Sequence, residues 1–360
     1  MSLVTRIGRR LKGDARSLAL RPLAAARDAA YTVQGVRRGK ISPLEPLKTV
    51  GATLGALLVV LLLLFPIYWI LTAALSGSGG SIYSSGGLAL LPKNPSLQPF
   101  LWVVGDLVVP AYTVSLNVPV SDLAIVVDTP ELVVLDVSQY GVENPSGFKG
   151  FLWNSLTVAI PTVVIAMTLV VPAAYALSRR EFILRRKVLF VYVLMTQVGG
   201  GLGVALLIGL YTVYVQFGIN DSKLALAVYY AATAVPFNTW LLKTYMDGIP
   251  VSYEEAAVVD GAPPWRVLTE VILPLSAAGL ATVFVFTFLT GWTEFVVAQT
   301  LLGTENYTLP VGLYSLISEY SIPWARFSAF ALTFATPIML VYLFAQRYIE
   351  GGLSFSGMEG

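Results

Sequence analysis

The chain has 360 residues, 56% of them hydrophobic and only 12% charged, with a formal net charge of +2. A mean hydropathy of +0.73 is far above that of an ordinary soluble domain, which excludes that class and points to a polytopic membrane protein. There is no cysteine and no histidine, so disulfides and thiolate chemistry are excluded, the commonest metal ligand is missing, and no metal site is expected.

Residues 1–48 hold eleven Lys and Arg against Asp14, Asp28 and Glu45. This basic segment is expected to stay in the cytoplasm, either as an amphipathic helix on anionic lipid or as a solvated tail. The apolar run that follows, Val50 to Leu75, is long enough to span a bilayer and too long for a signal-peptide core, so residues 49–75 are expected to form the first transmembrane helix. A Gly/Ser run, SGSGGSIYSSGG, then opens an insertion over residues 76–150. Within it Tyr112–Val120, Asp122–Val127 and Glu131–Val137 are rich in Val, Leu and Ile and punctuated by Pro110, Pro119, Asp128 and Pro130. That pattern reads as short strands joined by turns, hence a small β-rich extracytoplasmic subdomain. Its carboxylates (Asp106, Asp122, Asp128, Glu131, Asp136 and Glu143) form no metal or catalytic constellation, and they read as solvated groups or as part of a docking surface.

Five more apolar stretches follow, near Leu152–Leu177, Val188–Val215, Leu224–Leu242, Leu275–Thr300 and Phe327–Phe344. Each approaches or exceeds the ~20 residues that cross a bilayer. The expected fold is therefore all-α and polytopic, with six transmembrane helices, the last five forming a core over residues 151–346, and a cytoplasmic tail at 347–360. With the N-terminus inside, nineteen of the 23 basic residues fall on the cytoplasmic side, and only Lys93, Lys149, Lys223 and Arg326 fall outside. Pro236 is expected to bend the fourth span, and Gly199-Gly200-Gly201-Leu202-Gly203 to break the third. Three polar groups in the spans, Asn154, Gln197 and Glu294, are candidates for a solute pathway, and the aromatic Tyr211 is a further group that could meet sugar hydroxyls. A carboxylate at mid-membrane is costly unless it meets water or a partner, and interhelical hydrogen bonds are the ordinary alternative for the others.

Between the fourth and fifth spans lies an almost uniquely polar stretch, residues 249–274. Ser252 followed by Glu255 has the spacing of a capping box, which predicts a helix start there. Asp260-Gly261 supplies a stop in which glycine takes positive φ, and Pro263-Pro264 suits the first turn of a second helix. A helix, a bend and a second helix are expected.

Glu255-Ala256-Ala257, three residues, Gly261, nine residues, then Val271-Ile272-Leu273-Pro274 resembles the EAA loop of ABC importer permeases, with Val271 standing where the family usually has Ile. The resemblance continues in Trp153-Asn154-Ser155-Leu156, in Ala173 to Arg179 and in Tyr307 to Leu313, which look like the carbohydrate permeases of maltose/trehalose type. The tail, Gln346-Arg347-Tyr348, Gly351-Gly352-Leu353, Gly357 and Gly360, resembles the smaller subunit of the maltose-type pair. The resemblance implies that Glu255, Ala256, Ala257, Asp260, Gly261, Leu273 and Pro274 couple to a cytoplasmic ATPase, and that Gly357 and Gly360 reach between paired ATPase subunits. It implies a multi-pass protein of a bacterial or archaeal cytoplasmic membrane, both termini inside, importing a sugar by alternating access. The implied partners are a second homologous permease, a dimer of ATP-binding subunits, an extracytoplasmic sugar-binding protein and the lipid bilayer, with no nucleic acid. The P-loop pattern G-x-x-x-x-G-K-[ST] is absent, so ATP and Mg are expected in the partners, with no cofactor and no enzymatic chemistry in this chain. A permease of the same architecture for glycerol phosphate or another small polar solute, and a membrane scaffold that transports nothing, remain open readings.

Overall fold

A computed structural model describes residues 44–77, 92, 94–105, 107–109, 113–117, 124–128, 132–135, 146–201, 203–317 and 322–356. The chain forms two compact units, Met1–Trp69 and Ile70–Gly360. The first is described from Leu44, where helix α1 (Leu44–Ala74) begins. After Lys48 this helix carries no charge, and its span Lys48–Ala74 has a mean hydropathy of 2.7. In lipid a helix is the one way a single such segment can satisfy its own backbone, and it tolerates Pro66.

The second unit opens with a short helix, α2 (Gln98–Val104). The chain leaves and rejoins this base twice. Ser96 N–H donates to Leu75 O (2.8 Å) and Gly77 N–H to Asn94 O (3.1 Å), while Ser146 Oγ donates to Val103 O and its N–H to Trp102 O, both at 3.0 Å. Between the second pair of stitches lie strands β1 (Leu107–Val109), β2 (Thr113–Asn117), β3 (Ala124–Asp128) and β4 (Leu132–Leu135). They form two separate antiparallel ladders, β2 on β3 with Ser115 opposite Val126, and β1 on β4 with an irregularity after Leu107. The predicted β-rich subdomain as a whole extends over residues outside the described ones and stays an expectation.

The helical core follows: α3 (Phe148–Arg179), α4 (Arg185–Gly201), α5 (Gly203–Gln216), α6 (Lys223–Asp247), α7 (Ser252–Val259), α8 (Pro264–Leu275), α9 (Ala277–Thr293), α10 (Val296–Leu301), α11 (Leu309–Tyr314) and α12 (Trp324–Ser356). Helices α3 and α6 pack along most of their length, α9 lies against both, and α12 covers α9. Small residues permit this: Ser155, Ala159, Thr162, Ala166 and Ala174 on α3 and Ala227, Ala231 and Ala234 on α6 are buried. Where apolar side chains gain little by leaving lipid for one another, close backbone packing carries the association. At Gly291 on α9 a Cβ would sit 2.9 Å from the Ala159 Cα. Gly291→Leu is therefore expected to force α3 and α9 apart, at about 1–3 kcal/mol for overpacking, read as a lower unfolding midpoint in detergent. Nearby, Trp292 stacks between Phe288 (5.2 Å) and Phe334 (6.1 Å) and donates its indole N–H to Phe334 O.

Among the described residues four helices are long and apolar enough to cross a membrane: the α1 span, α3, α6 and Trp324–Ile349 within α12. They become five if α8 and α9, bent by 83°, count as one span. The expected count of six is not reached among the described residues. In the stretch near 188–215, α4 is described to Gly201 and α5 from Gly203, whose φ is +35°. Glycine has no Cβ to penalise that conformation, so the glycine run expected to break this span holds a positive-φ residue at Gly203. The stretch near 275–300 divides at Glu294, where ψ turns extended. Helix α6, by contrast, continues through Pro236.

Candidate functional site

The loop between α6 and α9 folds as two short helices, and its entry differs from the sequence expectation. The N-cap of α7 is Val251, in helical conformation, with no side-chain cap. Ser252 is already inside the first turn, so the Ser252–Glu255 capping box does not form. Glu254 N–H and Glu255 N–H instead both turn back to Val251 O, at 2.9 and 3.1 Å, and Tyr253 N–H to Pro250 O. Because α6 ends only a few residues earlier, at Asp247, the chain enters α7 through tight backbone turns that leave no extended residue to serve as a cap.

The exit is as expected. Gly261 has φ +82°, its N–H donates to Val258 O, and Ala262 N–H reaches back to Ala257 O, each at 3.0 Å. These are the two bonds of a Schellman stop, which requires a left-handed residue at the position of Gly261. Pro263 is extended and Pro264 opens α8. Inside α8 the segment Val267–Ile272 widens to a π turn, with Leu273 N–H bonding to Leu268 O. Pro274 explains the widening: it has no N–H to give, and its ring would strike the carbonyl four residues back in a regular helix. The chain then turns by 83° at Ser276 into α9.

One side of the loop is tied to the helical core. Glu254 is buried, forms an ion pair with Arg179 Nε at the end of α3, and accepts from Tyr175 OH (3.2 Å). Arg179 Nη2 also donates to Ile249 O at 2.8 Å. Beside it Ser178 Oγ donates to Asp247 Oδ1 (2.6 Å), and Asp247 pairs with Lys243. Apolar contacts continue the seam, with Ala257, Ala262, Leu268, Val271 and Leu273 packed on the buried group Val170, Ala174, Leu242, Met246, Val267 and Ile272. The ends of α3 and α6 and both loop helices thus form one cluster. The opposite side is bare. Glu255, Ala256, Asp260, Gly261 and Pro274 are exposed, as are Tyr253, Val258 and Trp265, and Val259 is 85% exposed.

Sequence reasoning singled out Glu255 and passed over Glu254 and Arg179. Helical spacing held the signal, because Glu254 lies three residues before Ala257 and shares its inward face, and an inward carboxylate needs a basic partner. The sequence does not say which of the many arginines supplies it.

Two of the predicted pathway residues, Asn154 and Glu294, share no hydrogen-bond partner. Asn154 is buried near the start of α3, donates to Glu305 O (2.8 Å) and Tyr307 O (3.1 Å), and accepts from Lys223 Nζ (2.9 Å). Both its amide N–H groups and its carbonyl oxygen are engaged in fastening α3 and α6 to the segment before α11. Asn154→Ala is expected to cost about 2–3 kcal/mol, chiefly by leaving a part-buried ammonium and two carbonyls unpartnered, measured as a lowered unfolding midpoint with unchanged solute preference. Glu294 accepts from Val297 N–H (3.0 Å) and Ala298 N–H (3.1 Å), capping α10, and from Tyr230 OH. This satisfies the carboxylate at a helix start, where negative charge is favoured. Tyr211, on α5, is exposed. The side chain of Gln197, and Gly357 and Gly360, lie outside the described residues. Among the described residues no group of three or more Asp, Glu, His or Cys could hold a metal ion.

Residues 151–354, which run from α3 into α12, match the family described as "Binding-protein-dependent transport system inner membrane component". The inner membrane ABC transporter permease protein YcjP of Escherichia coli (strain K12) is 34% identical over 216 residues, which are 59% of this chain and 75% of that protein. The maltose/maltodextrin transport system permease protein MalG of Photorhabdus laumondii is 36% identical over 215 residues, 58% of this chain and 72% of that one. The galactooligosaccharides transport system permease protein GanQ of Bacillus subtilis is 32% identical over 209 residues, 58% and 73% of the two chains. The fold is also that of a chain from the crystal structure of a bacterial ABC transporter involved in the import of the acidic polysaccharide alginate, with a TM-score of 0.63 at 21% identity, over 86% of this chain and 98% of that one. With the family match covering more than half its length, the chain belongs to the binding-protein-dependent transport system inner membrane components, the permease subunits of ABC importers.

Proposed function

We propose that this chain is one of two permease subunits of an ATP-driven sugar importer, forming half of a pathway that opens alternately to the two sides of the membrane. The observation that carries the reading is the two-sided loop: α7 is tied to α3 through Glu254 and Arg179 and both loop helices pack on the ends of α3 and α6, while Glu255, Ala256, Val259, Asp260 and Gly261 are exposed. The free side suits a cleft in a cytoplasmic ATP-binding subunit, since Glu255 offers a carboxylate to a basic partner and Ala256 permits close approach. The tied side suits transmission, because α7 cannot move without the ends of α3 and α6. ATP that binds one arrangement of its own subunits better than the other shifts the permease by that difference alone.

The basic residues support an orientation with the loop, the N-terminal segment and the C-terminal tail in the cytoplasm. In this reading ATP and Mg belong to a pair of partner subunits, a second homologous permease completes the pathway, and an extracytoplasmic protein delivers the solute. Relatives named for maltose/maltodextrin and for galactooligosaccharides favour an oligosaccharide. The test is uptake by proteoliposomes holding the whole complex and its binding protein. ATP-dependent accumulation of an oligosaccharide is expected. Uptake of glycerol phosphate instead would reassign the solute, and no accumulation of any solute would leave a scaffold.

A further inference from the structure

Besides the loop just described, the chain exposes a second compact surface of mixed character, the turn Arg180 to Leu184 between α3 and α4. Its middle is apolar: Phe182 and Leu184 are exposed and Ile183 is wholly so. Its flanks are basic, with Arg180 on one side and Arg186 and Lys187 on the other, all exposed, against the single acid Glu181. None of these four charged groups takes part in an ion pair among the described residues.

The turn is held in shape from within. Arg185 folds back and donates from Nε to Leu177 O (2.8 Å) and from Nη2 to Ser178 O (3.2 Å), two carbonyls that the end of α3 would otherwise leave unpaired. Its own N–H donates to Phe182 O at 3.0 Å, and Val188 N–H to Leu184 O at 2.9 Å. With Arg185, one of the four basic residues here, spent as a cap, the remaining three cations stand around an apolar tip that the described residues leave uncovered.

We propose that this turn is an anchor for anionic phospholipid, with Phe182, Ile183 and Leu184 seated at the headgroup–acyl boundary and Arg180, Arg186 and Lys187 on lipid phosphates. An apolar tip ringed by cations is matched to such a surface in both of its terms, burial of apolar area and attraction to negative charge. Position agrees: α3 has 32 residues, about 48 Å at the helical rise, longer than the roughly 30 Å hydrocarbon core. Its last turn therefore reaches the interface, where the tip follows. Since Ser178 and Arg179 on the same turn of α3 bind Asp247 and Glu254, a lipid hold on this corner would bear directly on the loop. The inference rests on the cytoplasmic placement proposed above.

The chain has no cysteine, so Ile183→Cys, labelled on this chain before the complex is reconstituted, carries a single nitroxide. In vesicles containing phosphatidylglycerol the label is expected to be reached by oxygen and shielded from a water-soluble nickel chelate. In phosphatidylcholine alone, or with Arg180→Gln, Arg186→Gln and Lys187→Gln combined, it is expected to become open to the chelate. Equal exposure to the chelate in both lipids overturns the proposal, as does shielding that depends on the ATP-binding subunits and not on lipid charge. Impermeant maleimide applied to each side reads the sidedness of Ile183→Cys separately from Glu255→Cys. If both react only from outside, the orientation has failed; if both react from inside and the lipid dependence is absent, the anchor alone has failed.

Discussion

Glu254→Ala is expected to abolish ATP-driven uptake while leaving ATP hydrolysis by the complex in place. Neither side chain of the Arg179–Glu254 pair is more than 12% exposed, and removing one partner of a pair so far from water leaves the other charge uncompensated, at about 3–5 kcal/mol. At about 1.4 kcal/mol per factor of ten, the local equilibrium between a seated and a released α7 shifts by more than a hundredfold. Arg179→Lys is expected to do nearly as much damage, because Arg179 serves Glu254 with Nε and Ile249 O with Nη2 at once. An ammonium cannot reproduce that fork. For the same reason exchanging the two residues is not expected to restore uptake, since a carboxylate at position 179 cannot donate to Ile249 O. Glu254→Gln, which retains an acceptor for Tyr175 and Arg179, is expected to fall between wild type and Glu254→Ala. Uptake and ATP hydrolysis measured on the same proteoliposomes decide the matter. Hydrolysis and transport lost in parallel would mean that the complex had merely failed to assemble.

The second large effect is expected at Gly261. No atom stands within 4 Å of where its Cβ would be, so steric room is no obstacle and the backbone alone decides. At φ +82° an L-residue costs roughly 1–2 kcal/mol, more when β-branched. The cost falls where the two Schellman bonds close α7, so relief comes from opening the stop and re-aiming α8. Uptake is therefore expected to fall in the order Gly, Asn, Ala, Val at position 261, Asn being the non-glycine residue most at ease in that conformation. Gly261→Asp is expected to add a charge to the exposed corner and to lose transport as well. A flat series would show that the angle between the two helices carries no function.

The features that were legible in the sequence are those that one residue type or one period decides alone. A long uncharged run must be a helix in lipid, which is why α1, α3, α6 and α12 fall where hydropathy placed them. A glycine before two prolines must end one helix and begin another, which is why α7 stops at Val259 and α8 starts at Pro264. Decisions that depend on what lies across the fold were not legible. Glu254 and Glu255 are identical in type and adjacent in sequence, and only the packing of Ala257 turns one inward and the other out. Ser252 and Glu255 have the spacing of a cap, yet Val251 adopts a helical conformation and the cap is pre-empted. Glu294 reads as a costly carboxylate until Val297 and Ala298 supply two N–H groups and Tyr230 a hydroxyl. Asn154 reads as a solute contact until Lys223, Glu305 and Tyr307, distant in sequence, arrive around it.

The central claim is that the free side of α7 meets the ATP-binding subunits. Its most direct test is a crosslink from Val259→Cys, the single thiol in an otherwise cysteine-free chain, to lysines of those subunits in the reconstituted complex, using a maleimide–succinimide reagent. A product joining the two polypeptides, formed with different efficiency when ATP is present and arresting uptake once formed, is the predicted result. Reaction confined to this chain, in a complex that still accumulates solute on ATP, would contradict it.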